Sequence, residues 1–61
     1  MRVGSLVKCM NPDMDCSMEV GIVMEEELDE YSGEQGWWVL YWRSDSEWKW
    51  MRLEDIKVIS L

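Results

Sequence analysis

The chain has 61 residues, 13 Asp and Glu against 6 Lys and Arg, and no His, which leaves a net charge of -7. That length holds one small domain, and an acidic surface repels phosphate backbones, so generic DNA or RNA binding would need a basic patch that six scattered cations hardly supply. Without His, a Gly-rich phosphate cradle or a base beside either cysteine, the sequence argues against an enzyme.

Short apolar stretches broken by Gly, Asn, Asp and Ser, with no long window of helical spacing, predict an all-β chain. The first strand runs from Val3 to Lys8, with a bend at Gly4-Ser5. The stretch Cys9 to Ser17 reads as a long loop, because Asn11-Pro12 starts turns and Pro12 cannot donate to a ladder. Glu19 to Glu25, or slightly beyond, forms the second strand, with Gly21 and Val23 on one face and Val20, Ile22 and Met24 on the other. Gly21 signals a bend, a bulge or a close backbone approach. Glu26 to Gly36 is acidic and holds Ser32-Gly33, so it reads as a solvated excursion; a single helical turn over Glu25 to Tyr31 is the marginal alternative.

Trp37 to Trp42 is aromatic or aliphatic throughout and is the third strand. Placing Trp38, Leu40 and Trp42 inward leaves Trp37, Val39 and Tyr41 as an outer ridge, extended by Tyr31 and Met51. Arg43 to Glu47 is the hairpin, and Trp48 to Arg52 returns with Trp48 and Trp50 on one face and Lys49 and Met51 opposite. Leu53-Glu54-Asp55 suits a three-ten turn with Leu53 tucked inward, and Ile56 to Leu61 is the fifth strand. A chain this short buries only roughly 60% of its unfolded surface. Five Trp and six Met are therefore read chiefly as core builders.

The order of these elements resembles an SH3-like barrel of the KOW, Tudor and Mib/Herc2 type. The matching stretches are Val3-Gly4-Ser5-Leu6-Val7, Gly21-Ile22-Val23, Trp38 to Trp42 before Ser44-Asp45, Trp48, and Leu53-Glu54-Asp55-Ile56-Lys57-Val58-Ile59. Asp45-Ser46 departs from the Asp-Gly usual in that hairpin and favours a longer connection. The whole chain is also similar to small uncharacterised proteins of bacteriophages, particularly phages of marine bacteria. The resemblance implies a five-stranded barrel with a three-ten turn before the last strand. It implies no single activity, since related barrels bind nucleic acid, methylated side chains, peptides or proteins.

Candidate sites divide along the chain. Nine acids and no cation lie from Asp13 to Glu34, while Gln35 to Leu61 holds four acids and four cations. The expected function is a non-enzymatic protein-interaction module with an acidic loop rim beside exposed aromatics. It takes basic peptides or partner proteins through Tyr31, Glu34, Trp37, Val39 and Tyr41, and self-association is a further way to cover the outer ridge. A sharper version is an aromatic cage for a methylated ammonium. The nucleic-acid alternative rests on a narrow track of Lys49, Lys57 and Arg43. No cofactor is expected. Asn11, Asp13 and Asp15 alternate like the start of an EF-hand, but Cys16 takes the place of the required Gly and Ile22 that of the bidentate Glu. Two cysteines without His do not complete a zinc site, and a carboxylate pair such as Glu25 and Glu34 is expected by chance among so many acids. Cys9 and Cys16 could close a short disulfide, but with neither a targeting segment nor a membrane-length apolar run they read as free thiols in a cytoplasm, that of the infected cell for a phage protein.

Overall fold

The computed structural model describes residues 1–41 and 47–60. Five strands, β1 (Leu6–Cys9), β2 (Val20–Leu28), β3 (Gln35–Tyr41), β4 (Glu47–Arg52) and β5 (Ile56–Ser60), form one antiparallel sheet, and a three-ten turn (Leu53–Asp55) precedes β5. The sheet order is β4-β3-β2-β1-β5, and among the described residues no ladder joins β4 to β5. No helix among them is long and apolar enough to cross a membrane. Of the expected hairpin over Arg43 to Glu47, Arg43 to Ser46 lie outside the described residues, as do Trp42 and Leu61, while Glu47 already belongs to β4.

Opposed residues in a ladder share a face, so the register decides what is inside. Val23 opposes Val39, Trp37 opposes Met51, and Val7 opposes both Gly21 and Val58. The core accordingly comprises Val7, Cys9, Cys16, Val23, Val39, Tyr41, Met51 and Ile56, with Met1, Met14 and Trp37 packed against it. Gly21 makes this packing feasible. A methyl group there would lie 2.7 Å from the Leu40 carbonyl oxygen, the Tyr41 ring and Val39. Close approach, one of the readings of Gly21, is therefore what the residue serves.

Several expectations are corrected. The expected ridge of Trp37, Val39 and Tyr41, with Met51, turns inward: Val39, Tyr41 and Met51 are each 0% exposed. Trp38 and Leu40 take the outer face instead. The cause lies in β4, whose Trp50 and Trp48 oppose Trp38 and Leu40. If those rungs pointed inward, the interior of one small sheet would have to enclose four bulky side chains at crystal-like density. The core is instead built from Val, Met, Tyr and Cys, and none of the tryptophans at 37, 38, 48 and 50 is fully buried. Leu53 is 62% exposed rather than tucked in, because the three-ten turn stands at the rim. β1 starts at Leu6, since Arg2 to Ser5 forms a turn in which Ser5 donates its backbone N–H to the Arg2 carbonyl at 2.9 Å.

β2 begins one residue later than expected, at Val20, and continues past Glu25 through Glu26 and Glu27 to Leu28, taking in residues read as solvated excursion. Val23 opposes Val39 while Glu25 opposes Trp38, so Met24 is an extra residue, a bulge that bends the strand. Past this bend the three Glu side chains are exposed, and like-charge repulsion is relieved by solvent without breaking the ladder.

The first loop is tied down by its polar residues. Asn11 donates to Asp55 Oδ1 at 3.3 Å and accepts the backbone N–H of Asp13 at 2.9 Å, while Asp15 pairs with Lys49 at 2.9 Å. Asn11 and Asp15 thus pin the loop to the three-ten turn and β4, while Asp13 joins through its backbone N–H to Asn11.

Burial pushes the Cys16 thiol up to about 12, reinforced by its contact with Cys9, and burial also raises Tyr41. Both stay protonated in the folded chain while the unfolded chain ionises from roughly pH 9 to 10. Their contribution to stability is therefore complete below about pH 9 and is lost as pH rises through the folded values. Urea unfolding under reducing conditions should show the stability falling between neutral pH and pH ~10.5. Among the described residues the buried Tyr41 hydroxyl has no hydrogen-bond partner. Tyr41→Phe should therefore reduce the alkaline loss and, at neutral pH, stabilise the fold by about 1 kcal/mol. A loss of more than about 2 kcal/mol would mean that the hydroxyl has a partner.

Candidate functional site

The outer face of β2, β3 and β4 is a lattice of two chemistries. Trp48, Leu40, Ile22 and Leu6 follow one another in a single row across successive strands, and Trp50, Trp38 and Glu25 form the next row on that face. One rung further, Glu27, Gly36 and Arg52 stand in line. Trp48 is 47% exposed, and Trp38 and Trp50 are half-buried.

Gly36 shapes this surface. A Cβ at that position would fall on the Trp50 ring atoms Cε2, Cζ2 and Nε1, so the indole lies flat over the glycine backbone instead of standing above its own rung. Trp50 therefore reaches toward the end of β2, and the space between it, Trp38 and the β2–β3 turn forms an open groove of about 520 Å³. It is lined by the acidic residues Glu27, Asp29 and Glu30 and the aromatic residues Tyr31, Trp38 and Trp50, with Leu28 completing it.

The turn that supplies half of these groups is held by its own backbone. Asp29 donates its N–H to the Glu34 carbonyl at 2.8 Å, and Gly33 donates to the Asp29 carbonyl at 2.7 Å. Asp29 Oδ1 accepts the Tyr31 N–H at 3.0 Å, and Ser32 Oγ accepts the Glu34 N–H at 3.1 Å. The hydrogen bond from Tyr31, helped by Ser32, holds the Asp29 carboxyl below the usual carboxylate range, so it remains ionised in mild acid. Asp29 is thus partly committed to the turn. Glu25, Glu26, Glu27 and Glu30 form no ion pair among the described residues.

The candidate residues separate. Tyr31 enters the groove and is fully exposed at 102%. Glu34 lies in a neighbouring recess of about 390 Å³ with Gln35, Arg52, Leu53 and Glu54. There Arg52 is shared by Glu34 at 3.8 Å, Glu54 at 3.1 Å and Asp55 at 3.3 Å. Trp37 is half-buried against the core, and Val39 and Tyr41 offer a partner no surface. Glu25 and Glu34 are not brought together: Glu25 opposes Trp38 within the sheet, and Glu34 follows the turn beside Arg52. The suggested cation track also divides. Lys49 is on the core side, paired with Asp15, and Lys57 is on β5 at the opposite end of the sheet order; Arg43 lies outside the described residues.

Sequence reasoning missed Glu27, Asp29 and Glu30 as a set, because a run of acids gives no sign of which members face the same way once a strand bends. Gly36 was the usable signal: a glycine inside a strand beside two tryptophans marks the approach of another group.

Comparison with protein-family models, with curated proteins and with solved structures finds no match to this chain.

Gly36→Ala tests the groove geometry. The added methyl group should lift Trp50 off the strand, shift tryptophan emission to longer wavelength and cost about 1–3 kcal/mol in urea unfolding. Unchanged emission and stability would show that the indole does not rest there.

Proposed function

We propose that the chain is a non-enzymatic protein-interaction module that takes a basic segment of a partner protein in the groove between Trp38, Trp50 and the β2–β3 turn. The observation that supports this most is the meeting of three carboxylates with three aromatic rings in one open groove. An arginine or lysine head group over an indole face is attracted by the ring quadrupole, and carboxylates at the rim supply charge-assisted hydrogen bonds. The apolar stem of the same side chain covers ring surface that is otherwise wet. The net charge of -7 steers basic partners toward the molecule and slows acidic ones.

The finer statements of this reading rest on the sequence resemblance. They take the open sheet with its three-ten turn as an SH3-like barrel, the chain as phage-borne, and its place of action as the cytoplasm of the infected cell. Nucleic acid is disfavoured by geometry as well as by charge, because Lys49 and Arg52 are already engaged by carboxylates.

Binding is tested with three probes: a dodecapeptide alternating arginine and leucine, the same peptide with glutamate for arginine, and a single-stranded DNA oligonucleotide. NMR titration should move the indole N–H signals of Trp38 and Trp50 with the basic peptide only, and the affinity should fall as salt is raised. Glu27→Gln combined with Glu30→Gln should weaken binding about tenfold while leaving the spectrum of the free protein intact. Stronger binding of the DNA, or equal binding of both peptides, would overturn the proposal. So would loss of the Trp38 and Trp50 signals to self-association before any probe is added.

A further inference from the structure

On the core side of the sheet, opposite the groove, the first loop carries one cysteine back over another. β1 ends at Cys9, and the chain returns to β2 through Met18, which adopts φ 69, a left-handed conformation costly for a residue with a side chain. Backbone hydrogen bonds hold that return in place. Cys9 donates to the Glu19 carbonyl at 2.9 Å, Met18 donates to the Cys9 carbonyl at 2.7 Å, and Glu19 donates to the Cys16 carbonyl at 2.9 Å. The ion pair of Asp15 with Lys49 anchors the residue next to Cys16 on β4. The two thiols, both 0% exposed, consequently face each other with Sγ atoms 2.8 Å apart. A disulfide bond is about 2.05 Å long, so bond formation requires an approach of about 0.8 Å.

We propose that Cys9 and Cys16 are a disulfide site, closed by a small-molecule disulfide oxidant of the glutathione type and opened by the corresponding thiol. In the forward direction one cysteine thiol gives up its proton, and the thiolate attacks a sulfur of the oxidant. The oxidant's S–S bond breaks, and the first glutathione leaves and is protonated. The second cysteine then loses its proton and attacks the protein sulfur of the mixed disulfide, releasing the second glutathione. Two cysteine thiols are oxidised, the oxidant gains two electrons, and the two protons end on the two released thiols.

Burial sets the kinetics of this exchange. Neither sulfur is reachable in the closed chain, and the thiolate of Cys16 is scarce there, so the first attack waits for the loop to lift. Once formed, the bond is covered again and resists reductant in the same way. The bond joins β1 to the loop that carries Met14 and Cys16 into the core, which suits a small domain with little interior to spare.

The full-length chain is equilibrated with reduced and oxidised glutathione, with and without denaturing urea, and examined by mass spectrometry. The folded protein should accumulate a monomer lighter by two hydrogens. Its effective thiol concentration should exceed that of the urea-unfolded chain by at least about tenfold. The oxidised monomer should melt roughly 10 °C higher than the reduced one. Cys9→Ser and Cys16→Ser should each abolish the two-hydrogen loss, leaving only mixed glutathione adducts. A persistent mixed disulfide on the unsubstituted protein, disulfide-linked dimers as the main product, equal closure with and without urea, or a lower melting temperature on oxidation would each overturn the proposal.

Discussion

Four large side chains, Trp38, Leu40, Trp48 and Trp50, meet on two successive same-face rungs of the β3–β4 ladder. A chain of 61 residues has no interior that encloses them together, so this face of the sheet turns outward and the other becomes the core. Much else follows from that exclusion. Val39, Tyr41 and Met51 are drawn inside, Gly21 yields its side-chain space to the Tyr41 ring, and the outer sheet surface becomes aromatic. The tryptophans that looked like core builders become a surface, half-buried because they lean on one another and on the backbone.

The bend at Met24 gives that surface its charge. By absorbing one residue, it keeps Ile22, Glu25 and Glu27 on the same side as Leu40, Trp38 and Gly36, their opposites in the ladder. Carboxylates are thereby set at the edge of an indole patch. The turn after Leu28 adds Asp29 and Glu30, held by hydrogen bonds within the turn. Cations of β4 meanwhile serve the interior and the rim: Lys49 fastens the first loop, and Arg52 gathers three carboxylates. The two β4 cations are thus engaged in internal ties, and among the described residues the charged groups lining the groove are acidic.

The strands themselves were legible. Apolar stretches separated by turn formers marked five of them and the three-ten turn, and alternation correctly set Trp48 and Trp50 against Lys49 and Met51 and grouped Gly21 with Val23. Alternation says which residues share a face; it does not say which face is inside. That choice depends on cross-strand register, which puts Trp38 beside Trp50, and no local pattern carries it. The extent of β2 was hidden for another reason. Three consecutive Glu residues look like solvated loop, yet a strand beyond a bulge can expose all of them and keep its hydrogen bonds to Trp37 and Trp38. Of the candidate contacts, Tyr31 reached the groove because it sits in the turn, whereas Val39 and Tyr41 followed the inverted parity into the core.

The ladder between β1 and β5 places Leu6 opposite Ser60, so the chain enters and leaves its sheet on one rung. Adjacent strands stand about 5 Å apart, a gap comparable to that between the two sides of an ordinary surface loop. Such a module can be spliced into a loop of an unrelated scaffold with little spreading of the host. In that setting the acid and tryptophan face would be displayed on a rigid platform, its orientation set by two attachment points instead of one.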